Sequence, residues 1–273
     1  MRALFGLDRP LFAMLHVPPC PGVPGFPGVE EAVEAMTRDL DACLAGGMDG
    51  VVLENMHDFP CVREAEMGPE VAAYMTRLAV AARARTDELS EGARRPPIGI
   101  QVLFAANRTA LAVAQAAGLD FIRAEAWTHA HISDKGWIDA QGGRVVRYQH
   151  AIGASGIRVF VDVKKKHASH ALTADLAPGE VAALQELHRA DGVIVTGSVT
   201  GDAPDASELR EIRGQTKLPV LLGSGIDASN LAEFFPLADG FIVGTSLKEG
   251  GEWDAPVDKR RVRELAEEAR RLR

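Results

Sequence analysis

At 273 residues the chain has room for one (β/α)8 barrel or for two small domains. An apolar fraction of 47% and a charged fraction of 25% belong to a soluble globular protein with a sizeable core, and a net charge of −8 argues against nucleic acid as a partner, since phosphate backbones need clustered Lys and Arg. Three cysteines, Cys20, Cys43 and Cys61, form neither a metal spacing nor an even disulfide framework, so a reduced, cytoplasmic protein is expected.

The chain opens with MRALFGLDRPLFAMLH, where Asp8 and Arg9 precede the apolar part and no small-residue cleavage pattern follows. It reads as a first strand over 11–16 rather than a signal peptide. The next stretch, VPPCPGVPGFPG (17–28), holds five prolines and predicts an ordered extended loop, either a lid or pocket wall or a rigid contact. A helix over 30–45 sets Val33, Met36, Leu40, Cys43 and Leu44 on one face, and after a strand over 50–55 a helix over 70–85 repeats the pattern with Val71, Tyr74, Met75, Leu78 and Ala82. Further strands over 98–103, 120–126, 157–163, 191–196, 219–223 and 240–244 alternate with helices over 108–117, 143–152, 179–189, 206–213, 228–235 and 257–272. Residues 127–141 form a second long connection, in which Trp127 and Trp137, with His129 and His131, suit a pocket wall or an interface belt. No apolar run approaches the roughly 18–20 residues that span a bilayer, so no integral membrane segment is expected.

Short, near-continuous apolar strands are those of a parallel sheet covered on both faces. Eight strand–helix alternations without a GxGxxG after the first strand predict an α/β protein, a (β/α)8 TIM barrel forming one domain over 1–273.

In that fold the chemistry sits at the C-terminal ends of the strands. The last two strands end in glycine turns, LLGSG (221–225) and FIVGTS (241–246), and paired turns there cradle one phosphate with backbone N–H groups. Gly223, Ser224, Gly225, Gly244, Thr245 and Ser246 are therefore the candidate phosphate site. His16 ends the first strand, Glu54 and Asn55 the second, with His57 and Asp58 just beyond; Gln101 lies near the end of the third, and Arg123 and Glu125 at the end of the fourth. Arg123 with Glu125 or Glu54 equally suits a structural ion pair across neighbouring strands. A regular fifth strand would carry Asp162, Lys164 and Lys166 on one side, with His167 next, and Thr196 and Ser198 follow the sixth. Glu54, Asp162, Lys166 and His167 are the catalytic candidates; His16, Asn55, Asp58, Gln101, Arg123, Glu125, Thr196 and Ser198 are the substrate-binding ones.

Three chemistries fit the group around Asp162: a Schiff base on a desolvated lysine, a carboxylate–ammonium proton-transfer pair, or a divalent metal held by Glu54, Asp162, His167 and His16. The run 164–166 also suits a solvated rim that attracts phosphate.

The stretches MLHVPPCPG, DGVVLENMHDFP (49–60), GIQVLFAANRTALAVAQAAGLDFIRAE (99–125), SDKGWID (133–139), VFVDVKKKHA (159–168), DGVIVTGSVTG (191–201), PVLLGSGI (219–226) and ADGFIVGTSLKEGG (238–251) resemble the BtpA/SgcQ family of ribulose-phosphate-binding-type barrels. The chain departs from the family's usual residues at Gln101, Glu125 and Lys164. The resemblance implies a phosphate-binding barrel with His16, Glu54, Asn55, Asp58, Asp162, Lys166, His167, Thr196 and Ser198 at its site. One branch is tied to photosystem I biogenesis and another resembles a sugar-utilisation product.

Together these features favour an enzyme acting on a small phosphorylated metabolite, a sugar phosphate or nucleotide-derived sugar, by aldolase-like lyase or isomerase chemistry. Its rivals are a non-catalytic assembly factor for a membrane complex and a metal-dependent transferase. No cofactor is certain, and the proline-rich loop and tryptophans suit a homo-oligomer.

Overall fold

The computed structural model describes residues 1–90, 92–197 and 205–273. Eight parallel strands close into a barrel: β1 (Leu11–His16), β2 (Gly50–Glu54), β3 (Ile98–Gln101), β4 (Phe121–Ala124), β7 (Arg158–Asp162), β9 (Gly192–Val195), β10 (Val220–Leu222) and β11 (Gly240–Val243). Six longer helices surround the first six strands: α2 (Val29–Gly46), α3 (Pro69–Ser90), α4 (Asn107–Ala117), α5 (Gly142–Ala151), α6 (Pro178–Leu187) and α7 (Ala206–Gln215). The four-residue α8 (Leu231–Phe234) and then α9 (Lys259–Leu272) complete the ring. Among the described residues no helix is long and apolar enough to cross a membrane.

A short helix and a small sheet lie outside the sequence reading. A short helix α1 (Arg2–Phe5) precedes the first strand, and its Phe5 ring lies 6.0, 5.6 and 6.1 Å from Phe12, Phe121 and Phe160, flooring the barrel. Within the long connections, β5 (His131–Ser133), β6 (Gly136–Ile138) and β8 (Ala168–Ser169) form a small antiparallel sheet. Strands of two or three residues are too short to leave a period in the sequence.

The barrel interior depends on pairing large with small. Phe12 lies opposite Gly50, Phe121 opposite Gly99 and Phe160 opposite Gly192 across neighbouring strands. A Cβ at Gly99 would lie 2.3 Å from the Phe121 ring, and one at Gly192 2.4 Å from that of Phe160. Each glycine thus vacates the volume that the facing phenylalanine fills. Alternation then carries the inward face up each strand: Phe12, Met14 and His16 on β1, Val52 and Glu54 on β2, Phe121 and Arg123 on β4, Phe160 and Asp162 on β7. The apolar floor and the polar mouth are thus successive layers of one pattern.

Gly99→Ala should destabilise the protein by about 1–3 kcal/mol through overpacking. Thermal unfolding should show a melting temperature lower by roughly 2–4 °C per kcal/mol. An unchanged melting temperature would refute the pairing.

Candidate functional site

At the C-terminal ends of the strands the inward residues open into a cavity of about 1050 Å³. Ten of its lining residues carry formal charge, five acidic and five basic, and burial in a barrel mouth forces most of them to pair. Arg123 forms a bidentate bridge to Asp162, Nε to Oδ1 at 2.9 Å and Nη2 to Oδ2 at 3.0 Å, with both side chains buried. Burial opposes the Arg123 charge, but the carboxylates of Asp162, Glu54 and Glu125 outweigh it and hold the guanidinium protonated. The partner expected for Arg123 was Glu54 or Glu125; the structure instead pairs it with Asp162 on the adjoining strand. Glu125 takes Lys165 Nζ at 2.6 Å, Gln101 Nε2 at 3.1 Å and the Ala105 N–H at 2.9 Å.

The fifth barrel strand does not stay regular. β7 stops at Asp162, and Lys164 and His167 adopt left-handed φ values of 42° and 58°. Lys164 therefore turns away, donating to the carbonyls of Thr173 and Leu176 at 3.1 and 2.6 Å, while Lys165, Lys166 and His167 line the cavity. Among the described residues Lys166 closes no ion pair; its Nζ lies 3.5 Å from Ser224 Oγ. Desolvation and then the Arg123 charge pull its pKa down to about 8, against Glu54 and Asp162.

Glu54 and His16 meet at 3.6 Å between Oε2 and Nε2. The Trp253 carbonyl lies 2.9 Å from His16 Nδ1, and since a carbonyl only accepts, Nδ1 carries the proton and Nε2 presents its lone pair to Glu54. Burial, then the Lys248 charge, depress His16 to about 3, whereas burial raises Glu54 despite Arg123 and Lys166. The pair is thereby biased toward a neutral imidazole beside a protonated carboxyl.

All six glycine-turn residues line the same cavity. Gly225 needs its left-handed φ of 66°, and a Cβ on Gly223 would lie 2.6 Å from Ile194 Cγ2. Among the described residues the N–H groups of Ser224, Gly225, Thr245 and Ser246 donate to no protein acceptor. Ser246 Oγ donates to the Ile226 carbonyl at 2.6 Å, tying the two turns together. Arg261 of α9 also lines the cavity here, bonded to the Ser246 carbonyl at 3.4 Å. Asp227 accepts from Ser229 N and Oγ and from Asn230 N, which fixes the turn after Gly225.

Several sequence candidates sit elsewhere. Asn55 and Asp58 do not line the cavity: Asn55 clamps Leu103 through its N–H (2.7 Å) and carbonyl (3.1 Å) and donates to Asp58 at 2.7 Å, while Asp58 accepts the Cys20 N–H at 2.7 Å. They hold the loops after β1, β2 and β3 together, and the grip on Leu103 explains why β3 ends at Gln101. No residue of the proline-rich loop 17–28 lines the cavity. Trp127 is buried and donates to the His188 carbonyl, and Trp137 is exposed, so neither walls the cavity. Among the described residues Thr196 Oγ1 is buried without a partner, and it lies beside Gly223 rather than in the lining. Ser198 lies outside the described residues. Among the described residues no three His, Cys, Asp or Glu side chains converge as a metal site, and Asp162 is engaged by Arg123.

The sequence reading missed Trp253, Lys165 and Arg261. Trp253 is carried on residues 249–256, a strap closed at its base where Lys248 Nζ meets Asp39 of α2 at 3.1 Å and Val257 N–H donates to the same carboxylate at 3.2 Å. From there its ring reaches His57 at 5.2 Å and Phe59 at 5.8 Å. None of these residues ends a strand, which was the only positional signal available.

Known proteins agree with this architecture. The chain is 42% identical over 265 residues to an uncharacterized mitochondrial protein of Caenorhabditis elegans, covering 95% of this chain and 92% of that one. It is 30% identical over 260 residues to the photosystem I biogenesis protein BtpA of Synechocystis, covering 94% and 87%. Among solved structures, the thiamine phosphate pyrophosphorylase of Pyrococcus furiosus superposes with a TM-score of 0.58 at 16% identity, covering 96% of each chain. The BtpA family profile matches residues 7–271, and the chain belongs to the BtpA family.

Proposed function

We propose that this barrel is a cytosolic enzyme acting on a small phosphorylated metabolite, a sugar phosphate or nucleotide-derived sugar, by lyase or isomerase chemistry. The observation that carries the reading is one cavity that joins two glycine turns, whose N–H groups find no acceptor among the described residues, to a lysine of depressed pKa that closes no ion pair among them. The anion sits on the turns, where Lys166 and Arg261 add positive charge. Above about pH 8 the Lys166 amine is largely free and attacks a substrate carbonyl; the C–N bond forms and the carbonyl oxygen leaves as water. Glu54, whose charged form burial disfavours, is the proton donor, while His16 is held neutral with its Nε2 lone pair toward Glu54 and positions that carboxyl. Asp162 is better suited to hold Arg123 than to act as a base, because both its oxygens are engaged.

A phosphorylated ligand at 100 times its dissociation constant should add about 2.7 kcal/mol of stability. In a thermal-shift panel of sugar phosphates that is roughly 2–4 °C per kcal/mol, and Gly225→Asp should abolish it. Borohydride trapping of a phosphorylated aldehyde should label Lys166 with a pH midpoint near 8, rising as the amine deprotonates. Labelling undiminished in Lys166→Met would sink that role; Glu54→Gln should lower turnover at least 100-fold while retaining phosphate affinity.

One observation favours a second, non-catalytic reading. Ile132 and Trp137 lie directly opposite on β5 and β6, 41% and 49% exposed, and so share one face. Such a face suits protein contact, either in a homo-oligomer or in the kind of assembly role for which the Synechocystis relative is named. Trp137→Glu should convert a homo-oligomer to monomer in light-scattering mass measurement if this face joins copies, and leave the mass unchanged if it does not.

A further inference from the structure

The cavity is larger than a sugar phosphate requires, and its two ends differ in chemistry. β3 and β10 stand four places apart in the eight-strand ring, so Gln101 at the end of β3 faces the Gly223–Gly225 turn across the full width of the mouth. Gln101 is 2% exposed, and its Nε2 donates to Glu125, which fixes Oε1 as the remaining acceptor. That Oε1 is buried with no partner among the described residues. Being buried from the cavity as well as from solvent, it is out of a ligand's reach, and Gln101 serves this end of the mouth by holding Glu125.

Between these poles the wall over β1 and β2 is apolar and aromatic. Trp253 on the strap and Phe59 on the β2–α3 connection line the cavity with their rings 5.8 Å apart, and Met56 lies in the same wall. Phe59 is 49% exposed, so its ring is open to contact from the cavity. A sugar can set its C–H face on one ring, but a flat heteroaromatic ring adds π-stacking and covers more of the aromatic wall.

We propose that the ligand is of the nucleoside 5′-monophosphate class: phosphate on the two glycine turns and a heteroaromatic ring against Trp253 and Phe59. The phosphate end of this assignment rests on the reading in the preceding subsection; the ring contact does not.

Calorimetric titration of the intact protein with adenosine, guanosine, cytidine and uridine 5′-monophosphates, ribose 5-phosphate, adenosine and inorganic phosphate separates the two. At least one nucleotide should bind tenfold or more tightly than ribose 5-phosphate. Trp253→Ala and, separately, Phe59→Ala should each remove most of that advantage while leaving ribose 5-phosphate affinity within twofold. Because Phe59 is half exposed, its variant keeps the test valid if Trp253→Ala fails to fold. Ribose 5-phosphate binding as tightly as every nucleotide would overturn the ring assignment and leave the phosphate site standing. Adenosine binding as tightly as its monophosphate would overturn the phosphate end instead, and no binding by any probe would overturn both.

Discussion

The need to neutralise charge buried inside a barrel mouth organises this site. The Arg123–Asp162 bridge is the strongest expression of it, a guanidinium and a carboxylate on adjacent strands joined by two hydrogen bonds in the cavity lining. Removing either partner would leave an uncompensated buried charge, a loss of about 3–5 kcal/mol. Lys165 and Glu125 repeat the solution one level higher, with Phe104 over the ammonium at 3.9 Å from the ring centroid. Once these pairs close, Lys166 and Glu54 are left as groups whose charges the surroundings disfavour.

The floor below makes that mouth rigid. Phenylalanines from β1, β4 and β7 fill the barrel because the facing positions are glycines, and Phe5 closes the open end beneath them. Side chains two residues further along the same strands then have no freedom to choose a face. The positions of His16, Glu54, Arg123 and Asp162 follow from packing that itself contains no polar atom.

The architecture was legible because a parallel barrel writes each strand as a short apolar run and each turn as glycine. All eight barrel strands and the two glycine turns fell where the sequence placed them. The polar details were less legible. Asn55 and Asp58 look like site residues because they follow a strand, yet their partners are backbone groups distant in sequence. Two left-handed residues after β7 exchange Lys164 for Lys165 in the cavity, and no periodicity foretells them. Trp253 and Arg261 come from the strap and the last helix, so only the closed tertiary structure brings them in.

The hydrogen bond from His16 to the Trp253 carbonyl joins the barrel to the strap above it. The strap is fixed at its base by the Lys248–Asp39 contact with α2. The proton on His16 Nδ1 is thus held by a peptide group outside the barrel, 237 residues away along the chain. Any shift of the strap that lengthens this bond frees the imidazole to exchange its proton between its two nitrogens, and the lone pair facing Glu54 is lost. The same residue whose ring walls the cavity therefore sets, through its backbone, which nitrogen of the histidine can accept a proton. The position of the strap and the tautomer of His16 become one variable.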